Sequence, residues 1–155
     1  MKRFLLLLSH TVCLGLGFAI GIYALPILIQ PLPPSVNDVQ HVSDHAVYTG
    51  TFQRARKDSD LLHWGAGSLS INEEQVAFIG ELAPGPDYRL FFSPTFIETE
   101  QDFIAQKHTM IEVDEVKNFD RFTMMLPEGF PINDYNTVVI WCETFGQFIT
   151  SARYQ

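Results

Sequence analysis

The sequence predicts an all-β domain, a two-sheet sandwich or open barrel of about eight antiparallel strands, behind one N-terminal transmembrane helix. Three observations predict it. The apolar residues are concentrated in the first thirty positions, and from Ala46 onward short runs of β-branched and aromatic residues alternate with turn residues while no window of helical length keeps a 3.6-residue period. A chain of 155 residues has room for one domain with a real core.

The N-terminal helix is the first element. From Phe4 to Ile29 the polar side chains are Ser9, His10, Thr11 and the hydroxyl of Tyr23, with no acid, Lys or Arg. A helix over Phe4 to Leu25 rises about 33 Å, enough for a hydrocarbon core of about 30 Å. Lys2 and Arg3 precede it, and flanking positive charge favours the cytoplasmic side, so the remainder is expected outside the cytoplasm, periplasmic or extracellular. A cleaved signal peptide is the competing reading. The apolar run is longer than such a segment needs, and cleavage after Ala24 would leave Ile22 at the minus-three position, so a retained signal-anchor over residues 1–29 is expected. Cys13 follows Val12, which does not suit lipoprotein cleavage. Gly17 and Gly21 have the spacing that lets two membrane helices approach, a pattern that occurs in apolar runs without meaning.

Pro31, Pro33 and Pro34 follow, then a polar stretch to His45. Proline favours stiff, extended chain, so residues 30–45 read as a stalk and residues 46–155 as the domain. All 18 acids but only 8 of the 10 basic residues lie beyond residue 34, giving that part a net charge of −10. Such a charge excludes nucleic acid and anionic lipid surfaces as natural partners.

Strands are expected near Val47–Phe52, Gly67–Ile71, Gln75–Leu82, Tyr88–Ser93, Met110–Val113, Phe122–Leu126, Thr137–Cys142 and Phe148–Tyr154. Pro84, Gly85, Pro86 and Asp87 separate the third and fourth and predict a hairpin there, with Val76, Phe78 and Leu82 on one face and Tyr88, Leu90 and Phe92 on the matching face. Asp102 to Lys107 suits one short helical turn.

The chemistry is sparse. There is no Cys-x-x-Cys, no Cys-x-x-Cys-His, no phosphate loop and no Gly-x-Ser-x-Gly elbow. Cys142 stands apart as the single cysteine of the exported part, and a lone thiol in an oxidising compartment must be buried or used. Period two places it with Val138 and Ile140 on one face, opposite Val139 and Trp141, so an inert core thiol, a functional or ligating thiol and an intermolecular disulfide all remain open. If it ligates a metal or haem, a His or Met partner is expected, with His63 first, then His108, Met124 and Met125. Blue copper is disfavoured because no histidine follows Cys142. His41 and His45 fall in the stalk and read as solvated residues. Asp114, Glu115, Asn118 and Asp120 form an oxygen-rich turn without the alternation and glycine of a calcium loop.

In their order, Gly50-Thr51-Phe52, His63 with Gly65 and Gly67, Pro86-Asp87-Tyr88, Val113 with its acidic neighbours, Leu126-Pro127 and Ile140-Trp141-Cys142 resemble the electron-transfer DM-thirteen domain over residues 46–155. That domain occurs beside DOMON domains in Skeletor-type animal proteins and as the sole domain of many bacterial membrane-anchored proteins. The resemblance implies a β-sandwich-like fold and a cysteine proposed for redox chemistry, as a bare thiol or as ligand to a group such as haem, and Cys142 inherits that role. The chain departs from the pattern in its charged Lys117–Arg121 segment and in Met124, where an aromatic is common. The expectation is a membrane-tethered redox module meeting an envelope redox or protein partner. The alternative is a non-catalytic β-sandwich binding module of the cell envelope with a purely structural cysteine.

Overall fold

The period-two stretches become eight strands in the computed structural model, which describes residues 1–155. They are β1 (Tyr48–Phe52), β2 (Gly65–Ile71), β3 (Gln75–Leu82), β4 (Tyr88–Ser93), β5 (Ile111–Val116), β6 (Arg121–Met125), β7 (Thr137–Cys142) and β8 (Gln147–Arg153). They form two four-stranded sheets, ordered β1-β2-β3-β6 and β5-β4-β7-β8, and every pairing is antiparallel.

One core lies between the sheets, built from alternate residues of each strand. Leu69, Ile71, Val76, Phe78, Leu82 and Phe122 come from the first sheet, and Tyr88, Leu90, Phe92, Val138, Ile140 and Cys142 from the second. The outer face of the second sheet is also covered. There Phe91, Val139, Trp141 and Phe148 pack with Ile97 and with Phe103 of a short helix, Glu100–Gln106. Phe103 stacks on Trp141 with ring centroids 4.0 Å apart and planes 11° from parallel. β7 is therefore buried on both faces, which is why its sequence is a continuous apolar run and not an alternation.

The hairpin expected at Pro84–Asp87 is not one. β3 and β4 belong to different sheets, and the segment between them crosses from one layer to the other. The two apolar faces were matched because they face each other across the core, a relation that alternation cannot distinguish from lying side by side. Pro84 and Pro86 have no N–H with which to extend a ladder, which suits a crossing. The chain's tight hairpins are β2–β3 and β7–β8.

The N-terminal segment forms α1 (Lys2–Ile29), 28 residues long, with Pro26 inside its last turn. It is long and apolar enough to cross a membrane by length and composition, a test that a signal sequence also passes. The chain that follows differs from the extended stalk its prolines predict. Residues Val36–Asp44 form α2, started by a capping box in which Asp38 N–H donates to Ser35 Oγ (3.2 Å) and Ser35 N–H donates to Asp38 Oδ2 (2.9 Å). Val39 and Val42 of α2 bury against Ala77, which points away from the core on β3. The prolines are tied down as well: Asn118 Nδ2 donates to the carbonyl of Pro31 (2.7 Å) and Arg121 Nε to that of Pro34 (2.8 Å).

Candidate functional site

β7 ends at Cys142, and the turn to β8 folds back over it. Cys142 is 1% exposed and faces inward, with Tyr88 as its cross-strand neighbour on β4 and Gln147 on β8. Glu143 N–H donates to the carbonyl of Asp87 (3.0 Å), which clamps the turn onto the start of β4. Burial pushes the Cys142 thiol above its ordinary value, and the Asp87 carboxylate pushes the same way. Backbone N–H groups of Phe145, Asp87 and Thr144 at the sulfur oppose this without reversing it. The thiol is therefore held protonated, in a setting that also carries amide donors for a thiolate.

His63 reaches the same place from the loop between β1 and β2. Asp60 organises that loop: Oδ1 accepts from the backbone N–H of Leu62 (2.7 Å) and of His63 (2.8 Å), and Asp60 N–H donates to the carbonyl of His63 (2.9 Å). Oδ2 lies 3.0 Å from His63 Nδ1. A carboxylate only accepts, so Nδ1 carries the proton and Nε2 is the free ring nitrogen. Burial pushes the Asp60 carboxyl up, but the hydrogen bonds from the His63 ring and the two amides outweigh it and hold the group below its ordinary value. Next in sequence, Trp64 is covered by the guanidinium of Arg54, 3.6 Å above the ring, and its carbonyl accepts from Ala83 N–H (2.9 Å). That bond sets His63 beside the Pro84–Pro86 crossing.

Between these groups lies a cavity of about 410 Å³. Cys142, Tyr88, Phe145 and Gln147 line it from the second sheet, His63 and Leu62 from the β1–β2 loop, and Pro84, Gly85 and Pro86 from the crossing. The remaining wall is α1, through Ala19, Ile22 and Tyr23. Tyr88 is 2% exposed, and its hydroxyl has no hydrogen-bond partner in the protein. Every fully enclosed side-chain N or O atom does have one, so this hydroxyl reaches the cavity. Burial pushes the phenol well above its ordinary value, with Cys142 nearby acting in the same direction, so Tyr88 is a neutral donor. Gly85 is required by this approach, since a Cβ there would stand 2.5 Å from the hydroxyl.

The other residues considered as ligands do not meet Cys142. His108 is exposed in the turn after the short helix, Met124 is buried in the core from β6, and Met125 is exposed, with Gln75 Nε2 3.0 Å from its sulfur. His41 and His45 sit together on the exposed side of α2, rings 4.7 Å apart. In the acidic turn Asn118 is committed to Pro31, Glu115 pairs with Lys117 and Asp120 with Arg121. No group of three or more His, Cys, Asp or Glu side chains is placed to hold a metal ion. Asp60, Tyr88 and the α1 wall were not singled out from sequence. The Asp60-x-x-His63 spacing was a legible signal, because an Asp accepts from backbone N–H groups two and three residues on.

Comparison with protein-family models matches residues 56–154 to the model described as Electron transfer DM13. No curated protein and no solved structure matches the chain.

Proposed function

This chain belongs to the electron transfer DM13 family, and from that premise we propose a membrane-tethered module, exposed outside the cytoplasm, whose electron-transfer site is the cavity at Cys142. Residues 1–29 are its anchor, 30–45 a strap between anchor and domain, and 46–155 the domain. The observation that carries the reading is that Cys142 and His63, 79 positions apart in sequence, line one apolar cavity.

The donor set fits a haem. Thiolate and imidazole are both iron ligands, and His63 is oriented by a carboxylate as a ligating histidine commonly is. Cys142 and His63 would hold the group, which supplies one-electron chemistry when bound. Asp60 fixes the ring and tautomer of His63. Phe145, Pro84 and Pro86 give the cavity apolar walls, and the Phe145 and Thr144 amides offset negative charge on the sulfur. The same features serve a bare thiol, kept protonated by burial until it meets a partner.

The burial of Cys142 favours one competing reading, a structural cysteine in an envelope binding module. The test is the full chain produced in a haem-competent host, with visible absorbance, iron content and thiol titration measured on wild type and Cys142→Ser. An absorbance band or a reagent-accessible thiol that depends on Cys142 is expected. A colourless, iron-free protein whose thiol reacts only after unfolding overturns the proposal and leaves the structural reading.

A further inference from the structure

We propose that the cavity binds the head group of a bilayer-resident quinone, held in its reduced quinol form by Tyr88 and His63. The inference rests on the Cys142 cavity being the electron-transfer site, and it places the quinol where a haem would otherwise sit.

Three observations point to this class of ligand. The first is Tyr88, a buried phenol whose hydroxyl faces the cavity without a protein partner. The hydroxyl is a neutral donor open to the cavity, placed for a ligand that accepts from it. The second is the character of the walls. No Lys, Arg, Asp or Glu lines the cavity, so a phosphate or other charged head group finds no counter-charge. A neutral, flat ring carrying oxygens at both ends suits apolar walls with a few polar groups.

The third is the wall made by α1. Ala19, Ile22 and Tyr23 lie within about 15 Å of the end of α1, counting 1.5 Å per residue from Ile29. In a membrane-spanning α1 Tyr23, about 9 Å from that end, lies near the boundary between acyl chains and head groups, where tyrosine is favoured, and Ala19 lies on the acyl side of it. A ligand reaching the cavity along this wall comes from the bilayer, and an isoprenoid tail would continue beside the apolar helix.

The hydrogen bonds select the reduced form. Tyr88 Oη–H donates to one ring oxygen, which accepts in either form. His63 commits Nδ1–H to Asp60, which leaves Nε2 as the ring nitrogen that can accept, and only the quinol has a hydroxyl to donate to it.

The test uses the full chain in phosphatidylcholine nanodiscs, with decylubiquinol or decylubiquinone as probe under anaerobic conditions and empty nanodiscs as the partition control. Saturable uptake of one quinol per chain is expected, tighter than that of the quinone. Tyr88→Phe should lower quinol affinity about tenfold without lowering the melting temperature, because the lost hydroxyl had no protein partner. His63→Phe should erase the preference for quinol over quinone. Uptake no greater than in empty nanodiscs, or affinity unchanged by Tyr88→Phe, overturns the proposal. If uptake fails while a haem band depends on Cys142, the electron-transfer reading stands and the quinol alone is refuted. If both fail and the thiol reacts only after unfolding, both readings fall.

Discussion

Cys142 and Tyr88 are cross-strand neighbours on β7 and β4, and both are acids that burial holds in the neutral form. That has a thermodynamic sign. The unfolded chain releases the thiol proton near the ordinary value of about 8.5, whereas the folded chain holds it to higher pH, so the unfolded state binds fewer protons in between and stability falls as pH rises through that window. Tyr88 and Tyr154, both raised by burial, add to the fall above about pH 10. The full chain in detergent should therefore melt at a lower temperature at pH 9.5 than at pH 7.5. Cys142→Ala should make the drop shallower, the difference being at most about 1.4 kcal/mol per pH unit. Equal slopes for both proteins would mean that the thiol is not held up. At this scale the sequence was informative about Cys142 and His63, whose residue types carry chemistry wherever they fall. It placed Tyr88 on a core face and in a family motif but gave it no role, because an unpartnered hydroxyl is a property of the surroundings and not of the residue.

Among the elements, the strands were legible because runs of β-branched and aromatic residues are bounded by turn residues, although burial itself alternates only in β1, β5 and β6. β3, β4 and β7 have the expected bounds, and the face of Val138, Ile140 and Cys142 is the one turned to the core. The pairing was less so. Alternation says which side of a strand is buried but not whether its partner lies beside it or across the core, and the Pro84–Asp87 crossing was misread on that account. α2 was missed because the three prolines dominated the local reading, although Ser35 and Asp38 have the spacing of a capping box and Ala77 is small enough for a helix to approach β3. Val39 is 3% exposed beneath that helix. Val39→Asp puts a carboxylate there without a partner, and α2 should lift off while the sandwich persists. Hydrogen exchange checks it: amides of 39–45 should exchange about tenfold faster or more, while those of β4 and β7 keep their protection. Loss of protection throughout would show that α2 is part of the cooperative core and not an attachment.

For the whole molecule, the question is what α1 does at the cavity, apart from the tethering proposed for it. None of the sandwich's core cluster comes from it, yet Ala19, Ile22 and Tyr23 close the cavity and Pro26 is buried. The strap from Pro31 to α2 is held by Asn118 and Arg121, so the domain does not swing on a free stalk but is kept against the end of the helix. The helix that is long and apolar enough to cross a membrane is thus also a wall of the Cys142 cavity. Removing residues 1–34 separates the two roles. The shortened chain should keep a cooperative thermal transition, because both sheets, the core between them and α2 with its Ser35 cap are intact. Its Cys142 should nevertheless react with a small maleimide about tenfold faster or more than in the full chain in nanodiscs, with Cys13 changed to Ser in the full-length protein so that one thiol is counted in each. The rate of each form is followed against pH and divided by its thiolate fraction, so that access and not ionisation separates them. Equal rates would show that α1 is a tether alone and that the cavity is closed by the domain itself. A faster rate together with loss of the thermal transition would show instead that α1 holds the sandwich together.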